Sequence, residues 1–259
     1  MAGERRKIGI VGYGVVGHGM ARLFEPAFDV TKYDPGFGFP VHADKADVMG
    51  ADLAVICVPT PSLPDGSADI SAVEESVAFL DASLILIKST VPPGTTDRLA
   101  AKYGKAIHFS PEHLVERDPR ESPEGFLIVG GPRADKVIDL YQEVMPTSTR
   151  MLACTNVEAE LAKYMANAWF ATKVTFCNEF AGIAAAMGVS YHRLRELWLA
   201  DPRVERDHTA VFATRPGFDG KCLPKDIAGI VAASGAAGYE AQFLRSVIAA
   251  NERFRRGIA

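Results

Sequence analysis

In PGFDGKCLPKD, residues 216–226, Cys222 follows a glycine turn and lies between Lys221 and Lys225. Structural cysteines usually sit in apolar runs, and this one does not. Nearby ammonium groups favour the thiolate, the form that attacks an electrophilic carbon. Taken alone, the pattern also fits an incidental cysteine. Lys163 and Asn167 are four residues apart in a helical stretch and so share one helix face. A lysine there either snorkels to solvent or serves a site. GYGVVG (12–17) carries a different chemistry. Gly12 allows a tight turn, Gly14 lets the backbone approach a pyrophosphate, and Gly17 lets helix and strand pack closely, with Tyr13, Val15 and Val16 filling the loop. A helix beginning there offers free N–H groups to phosphate. Asp34, twenty-two residues after Gly12, would accept from a ribose 2′-hydroxyl and repel a 2′-phosphate, which favours NAD over NADP.

Positioning these groups requires strands and helices in alternation. KIGIVG (7–12), FDVTKYD (28–34), ADLAVICVP (51–59), LILIKST (84–90), AIHFS (106–110) and FLIVGG (126–131) read as strands, several with the continuous apolar character of a parallel sheet covered on both faces. Helical patterns lie between them: one from the glycine loop to about Phe24, then 71–81, 94–103 and 132–145. The class is α/β, a Rossmann-like doubly wound parallel sheet over residues 1–151, followed by an all-helical domain over 152–259. TNVEAELAKYMANAWFATKVTFCNEFAGIAAAMG (155–188) reads as one helix, with Thr155 and Glu158 as a capping box and Gly188 as its stop. At about 1.5 Å per residue it would run about 50 Å. It is apolar on most faces and is expected to be buried between other elements. Two further helices are expected at 225–234 and 239–255.

Composition removes other classes. The 259-residue chain is 48% hydrophobic with a net charge of −4, acidic and basic residues interspersed. That supplies a core and no basic face for nucleic acid. No apolar run reaches about 18 residues, so no membrane span is expected, and the N-terminus does not read as a signal peptide. Cys57, Cys154, Cys177 and Cys222 are widely separated, which points to a reducing cytoplasm with neither disulfides nor zinc. His18, His42, His108, His113, His192 and His208 show no metal-ligand spacing and read as structural or exposed.

Several motifs come in order: CVPTP (57–61) with DGSADIS (65–71), KSTVPPGTT (88–96), SPEHLVE (110–116), EAELAKYMAN (158–167) and GKCLPKD (220–226). Together they resemble the UDP-glucose/GDP-mannose dehydrogenase family. The resemblance implies oxidation of a sugar C6 alcohol to a carboxylate with two NAD molecules. It makes Cys222 the nucleophile, forming a thiohemiacetal and then a thioester that water hydrolyses. It assigns Lys163 to the oxyanion at C6, Asn167 to the sugar, Asp226 and Thr90 to the hydrolytic water, and Glu116 to acid–base or water-positioning work. Glu112 would share the site of Glu116. Val58, Pro59, Thr60, Ser89 and Thr90 lie just after strands, where such a fold holds its nicotinamide. Gly217, Phe218, Asp219, Gly220 and Lys221 form the loop that meets the sugar. Arg203, in DPRVERD, resembles an arginine that reaches a neighbouring subunit's substrate; a surface arginine is the alternative. A homodimer is implied through the central helix.

The chain departs from the family pattern in three places. It ends near Asn251–Ala259, where the family continues into a second Rossmann-like unit that grips the nucleotide. The stretch between Asp34 and Ala51 is short. The usual GFGGSC is GFDGKC here, so Asp219 and Lys221 replace small residues. The expectation is a two-domain relative that keeps the alcohol-to-acid apparatus on an altered substrate, with Asp219 and Lys221 contacting it. Two other readings stand beside this one. A β-hydroxyacid dehydrogenase would need one two-electron step and no cysteine. A non-catalytic NAD-binding homologue would serve a partner enzyme.

Overall fold

The computed structural model describes residues 5–36, 44–112 and 125–257. Contacts divide the chain into two compact units, residues 1–61 with 68–163 and residues 62–67 with 164–259. The division falls inside the long helix, later than the change of texture in the sequence near 151.

The first unit contains β1 (Lys7–Val11), α1 (Val15–Phe24), β2 (Asp29–Tyr33), β3 (Leu53–Ile56), α2 (Ser71–Phe79), β4 (Leu84–Ile87), α3 (Thr95–Tyr103), β5 (Ile107–Phe109), β6 (Phe126–Gly130), α4 (Ala134–Gln142) and β7 (Arg150–Cys154). These strands form one sheet in the order β2-β1-β3-β4-β5-β6-β7. LAVI of β3 and LILI of β4 are buried at every position because helices cover both sheet faces. From β1 the chain steps to β2 on one side and β3 on the other, with Ile10 facing Lys32 and Val55. That reversal opens the crevice in which such sheets hold ligands.

Two features differ from the sequence reading. β5 and β6 pair antiparallel through Phe109 and Gly130, so β6 and β7 run against the other five strands. β7 itself was not expected as a strand. RMLAC is a sheet edge with only intermediate and exposed positions, so no apolar run betrays it.

α5 (Asn156–Ala186) begins in the first unit. Its capping box forms as expected: Glu158 Oε2 accepts from Thr155 N at 2.8 Å and Oγ1 at 2.7 Å. Asn156 ties it to the sheet by accepting from Phe109 N and donating to Asp97 and the Ile107 carbonyl. Glu160, with no solvent exposure, accepts from Gly94 N (2.5 Å), Thr96 N (2.9 Å) and Thr96 Oγ1 (2.6 Å). It thereby caps α3, whose own Ncap, Gly94, has no side chain to offer. Gly188, at φ 70°, ends the α5 segment.

In the second unit, the rest of α5 packs with α7 (Leu223–Ala236) and α8 (Gln242–Arg255) around Ala171, Phe218, Ile227 and Val247. α6 (Tyr191–Trp198) went unread in the sequence because none of its residues is buried. The expectation that α5 is covered on most faces is corrected. Met165, Trp169, Phe176, Phe180 and Ile183 stay exposed along it, Met165 at 78%. Their spacing follows one helix face that the described residues leave largely exposed.

Candidate active site

The glycine loop has the shape a dinucleotide requires. Gly12 has φ 88°, and a Cβ there would lie 2.8 Å from the Cys57 carbonyl carbon and oxygen. A Cβ on Gly17 would lie 2.0 Å from the Gly12 carbonyl oxygen, so helix and turn approach as closely as glycine allows. Nothing lies within 4 Å of a Cβ built on Gly14, which leaves open space where phosphate oxygens would meet the backbone. α1 starts next to it with no side-chain cap and no acidic residue in its first turn, so its N–H groups and dipole remain available to an anion. Asp34 accepts from Tyr13 N at 2.7 Å and Gly36 N at 2.8 Å, which holds its carboxylate beside the loop. A carboxylate has about four lone-pair sites, so capacity for ribose hydroxyls is left. These residues fit NAD.

At the ends of β3 and β4, the hydroxyls expected near the nicotinamide donate to backbone carbonyls of the facing strand end. Ser89 Oγ donates to the Val58 carbonyl at 2.7 Å, and Thr60 Oγ1 donates to the Thr90 carbonyl at 2.8 Å. Thr60 and Ser89 are buried, Thr90 and Val58 half-buried, and Pro59 exposed. The two hydroxyls therefore fix the loop edge.

Lys163 reaches the segment after β5, donating to the Glu112 carbonyl at 2.6 Å. The Glu112 carboxylate turns toward Lys88, 3.5 Å from its Nζ, with both side chains largely buried. Burial pushes the nearby Cys57 thiol far up, although the Lys88 charge pulls the other way. Glu116 lies outside the described residues, as do His42 and His113.

The second unit holds the thiol. Cys222 is exposed and occupies the Ncap of α7, with Pro224 in the first turn and Asp226 N bonded to the Cys222 carbonyl at 2.8 Å. Asp226, 2% exposed, is hydrogen-bonded at one oxygen, where Asn167 Nδ2 donates at 2.5 Å; the neighbouring Lys225 Nζ lies 2.7 Å from the other as an ion pair without hydrogen-bond geometry. Tyr164 packs on Gly229 of α7 so closely that a Cβ there would lie 3.3 Å from the ring.

The loop before the cysteine is pinned by two asparagines that sequence reasoning passed over. Asn178 Oδ1 accepts from Gly217 N at 2.9 Å; Asn251 accepts from Phe218 N at 2.7 Å and donates to the Phe218 carbonyl at 3.1 Å. Gly217 must be glycine, since at φ 77° a Cβ would lie 2.3 Å from Asn251 Oδ1. The signal was present: each asparagine is a buried amide in a helix interior, and such groups demand partners. Phe218 is buried, and Gly220 and Lys221 are exposed. Asp219 is engaged by its own chain, 2.9 Å from Arg255 and 3.9 Å from Arg215. Arg203 is exposed and forms a bidentate pair with Asp201. Among the described residues no group of three His, Cys, Asp or Glu could hold a metal, and no helix is long and apolar enough to cross a membrane.

Fold and glycine cradle together define an NAD-binding α/β protein with a helical second unit. Comparison with known proteins narrows this. The NAD binding domain of the UDP-glucose/GDP-mannose dehydrogenase family matches residues 39–145, and that family's central domain matches residues 157–253. The chain is 33% identical over 225 residues to a UDP-glucose 6-dehydrogenase of Pseudomonas aeruginosa, covering 78% of this chain and 49% of that protein. It is 29% identical over 263 residues to UDP-glucose 6-dehydrogenase AglM of Haloferax volcanii, covering 90% and 60%. The solved UDP-glucose dehydrogenase of Pyrobaculum islandicum superposes with a TM-score of 0.85 at 26% identity, over 97% of this chain and 69% of the other. The chain belongs to the UDP-glucose/GDP-mannose dehydrogenase family, and spans about half to three fifths of the length of these curated relatives.

Proposed function

We propose that this protein oxidises the primary alcohol of a sugar or nucleotide sugar to the carboxylate through covalent catalysis at Cys222. The observation that carries the reading is the placing of Asp226: a buried carboxylate one turn into the helix that Cys222 opens, hydrogen-bonded by Asn167 and paired in charge with Lys225. Bound NAD supplies the hydride acceptor for each of the two oxidations, held by the Gly12–Gly17 loop and Asp34. Cys222 Sγ adds to the aldehyde carbon left by the first oxidation, giving a thiohemiacetal; the second leaves a thioester. Lys163 stabilises the negative charge that develops on the C6 oxygen. Water then cleaves the C–S bond, with Asp226 taking its proton and Thr90 orienting it, which releases the carboxylate and returns the thiol.

Glu116 contributes acid–base or water-positioning work in this scheme. Arg203 reaches the sugar of a neighbouring subunit, Gly220 and Lys221 of the loop meet the sugar of their own, and Glu112 acts there through its backbone. A homodimer formed along α5 is supported by the exposed face of Trp169, Phe176, Phe180 and Ile183. The free thiols of all four cysteines suit a reducing cytoplasm.

The test is stoichiometry. The protein is incubated with NAD and a panel of nucleotide sugars, and NADH is counted per carboxylate formed. Two per product supports the reading. One per product with an indifferent Cys222→Ser would instead favour a single-step hydroxyacid-type dehydrogenase, and NAD binding without turnover would favour a non-catalytic homologue.

A further inference from the structure

Lys88, directly after β4, is among the most buried charges of the first unit, with its side chain 4% exposed. An ammonium has three donors and no acceptor, and here two hydrogen bonds and one ion pair hold it. Ser110 Oγ lies at 3.3 Å, the Pro111 carbonyl at 3.2 Å and Glu112 Oε2 at 3.5 Å. They belong to three consecutive residues, so one cation fixes the conformation of the whole segment. The last of these residues presents its carbonyl to Lys163 Nζ at 2.6 Å. The segment 110–112 is thus held between two lysines, one beneath it and one at its outer edge.

We infer that Lys88 is a positioning residue, which sets the place of the Lys163 ammonium through the Ser110–Glu112 backbone. This rests on the reading of Lys163 as the oxyanion-binding group. The physical reason is that a buried cation tolerates few geometries. Moving the segment would strand Lys88 without partners, so the Glu112 carbonyl is held rigidly.

The experiment uses the full chain. Reductive methylation of Lys163 is timed by peptide mass spectrometry in wild type and Lys88→Met, with exposed Lys136 as the internal reference. Lys88→Met is expected to raise the Lys163 rate several-fold, with Lys136 unchanged. In turnover with a nucleotide sugar, kcat falls about tenfold while the KM for NAD stays within about twofold. A Lys163 rate equal to wild type overturns the inference. Should Lys88→Met fold poorly, Lys88→Met/Glu112→Gln removes both charges and leaves no unpaired buried ion. In that variant stability is expected to recover while Lys163 stays over-reactive. Recovery of both together would make Lys88 merely structural and overturn the inference. Absence of turnover in wild type on every sugar would sink the role of Lys163, while the labelling still decides whether Lys88 positions it.

Discussion

Asn167 donates to Asp226 across the second unit at 2.5 Å and orients its carboxylate, while the Lys225 charge lies 2.7 Å from the other oxygen. Such a group is already aimed before a substrate arrives, which is what proton transfer demands. Replacing Asp226 by Leu leaves Lys225 beside an apolar side chain and is expected to destabilise the fold by about 3 kcal/mol in urea titration. Asp226→Asn keeps the shape and loses the proposed base, so kcat is expected to fall about a hundredfold with little change in KM.

A second prediction concerns Glu160, the cap that α5 lends to α3. In Glu160→Ala the N–H groups of Gly94 and Thr96 lose their acceptor in a buried place, at a cost of about 3 kcal/mol by chemical denaturation. Glu160→Gln keeps one acceptor oxygen and is expected to lose about half of that. Burial raises the Glu160 carboxyl above its usual range, against the pull of its hydrogen bonds to Thr96 and Gly94. A small loss of stability as pH rises through that raised value is therefore expected in wild type and absent in Glu160→Gln.

Much of the first unit was legible because its signals are local. Apolar runs such as LILI and the Gly12–Gly17 loop depend on neighbours within a few residues. What stayed hidden depends on distant partners. β7 is an edge strand with no apolar run, α6 buries nothing, and the reversed direction of β6 is decided by its pairing with β5. In the site, Cys222, Lys163 and Asp226 were recognisable by motif, whereas Asn178, Asn251 and Lys88 matter through contacts that sequence spacing does not reveal. Asp219 was read as a substrate contact because it breaks the loop pattern, yet its carboxylate meets Arg255 and Arg215.

That relationship gives a third prediction. Asp219→Gly removes an exposed ion pair and adds backbone freedom, so a small fall in Tm is expected, shrinking as salt screens the pair in the parent protein. Neighbouring guanidinium groups and, foremost, the Gly220 N–H hold the Asp219 carboxyl below its usual value. A large loss of nucleotide-sugar affinity in this variant, with Tm unchanged, would show instead that Asp219 meets the substrate.

The fourth prediction is a pH effect at His108, which has no solvent exposure and sits on β5 against Gly131. Its Nδ1 lies 3.2 Å from the Ile85 carbonyl, and Arg133 and Asp135 are the charged groups that act on it. Burial, the largest cause, pulls its pKa below 6.5. The unfolded chain therefore takes up a proton that the folded chain resists. Stability is full above pH 6.5 and is lost as pH falls below it toward the folded value. Urea unfolding from pH 7.5 to 5 is expected to show that loss in wild type and a flatter curve in His108→Gln.

The covalent role of Cys222 is tested most directly by acid-quenching the reaction with NAD and nucleotide sugar and weighing the peptide that contains Cys222. Asp226→Asn, slowed in hydrolysis, is expected to accumulate a thioester on that peptide alone, while Cys222→Ser carries none and forms no carboxylate. Carboxylate production that continues in Cys222→Ser, or turnover by Asp226→Asn without any adduct on Cys222, would contradict the account.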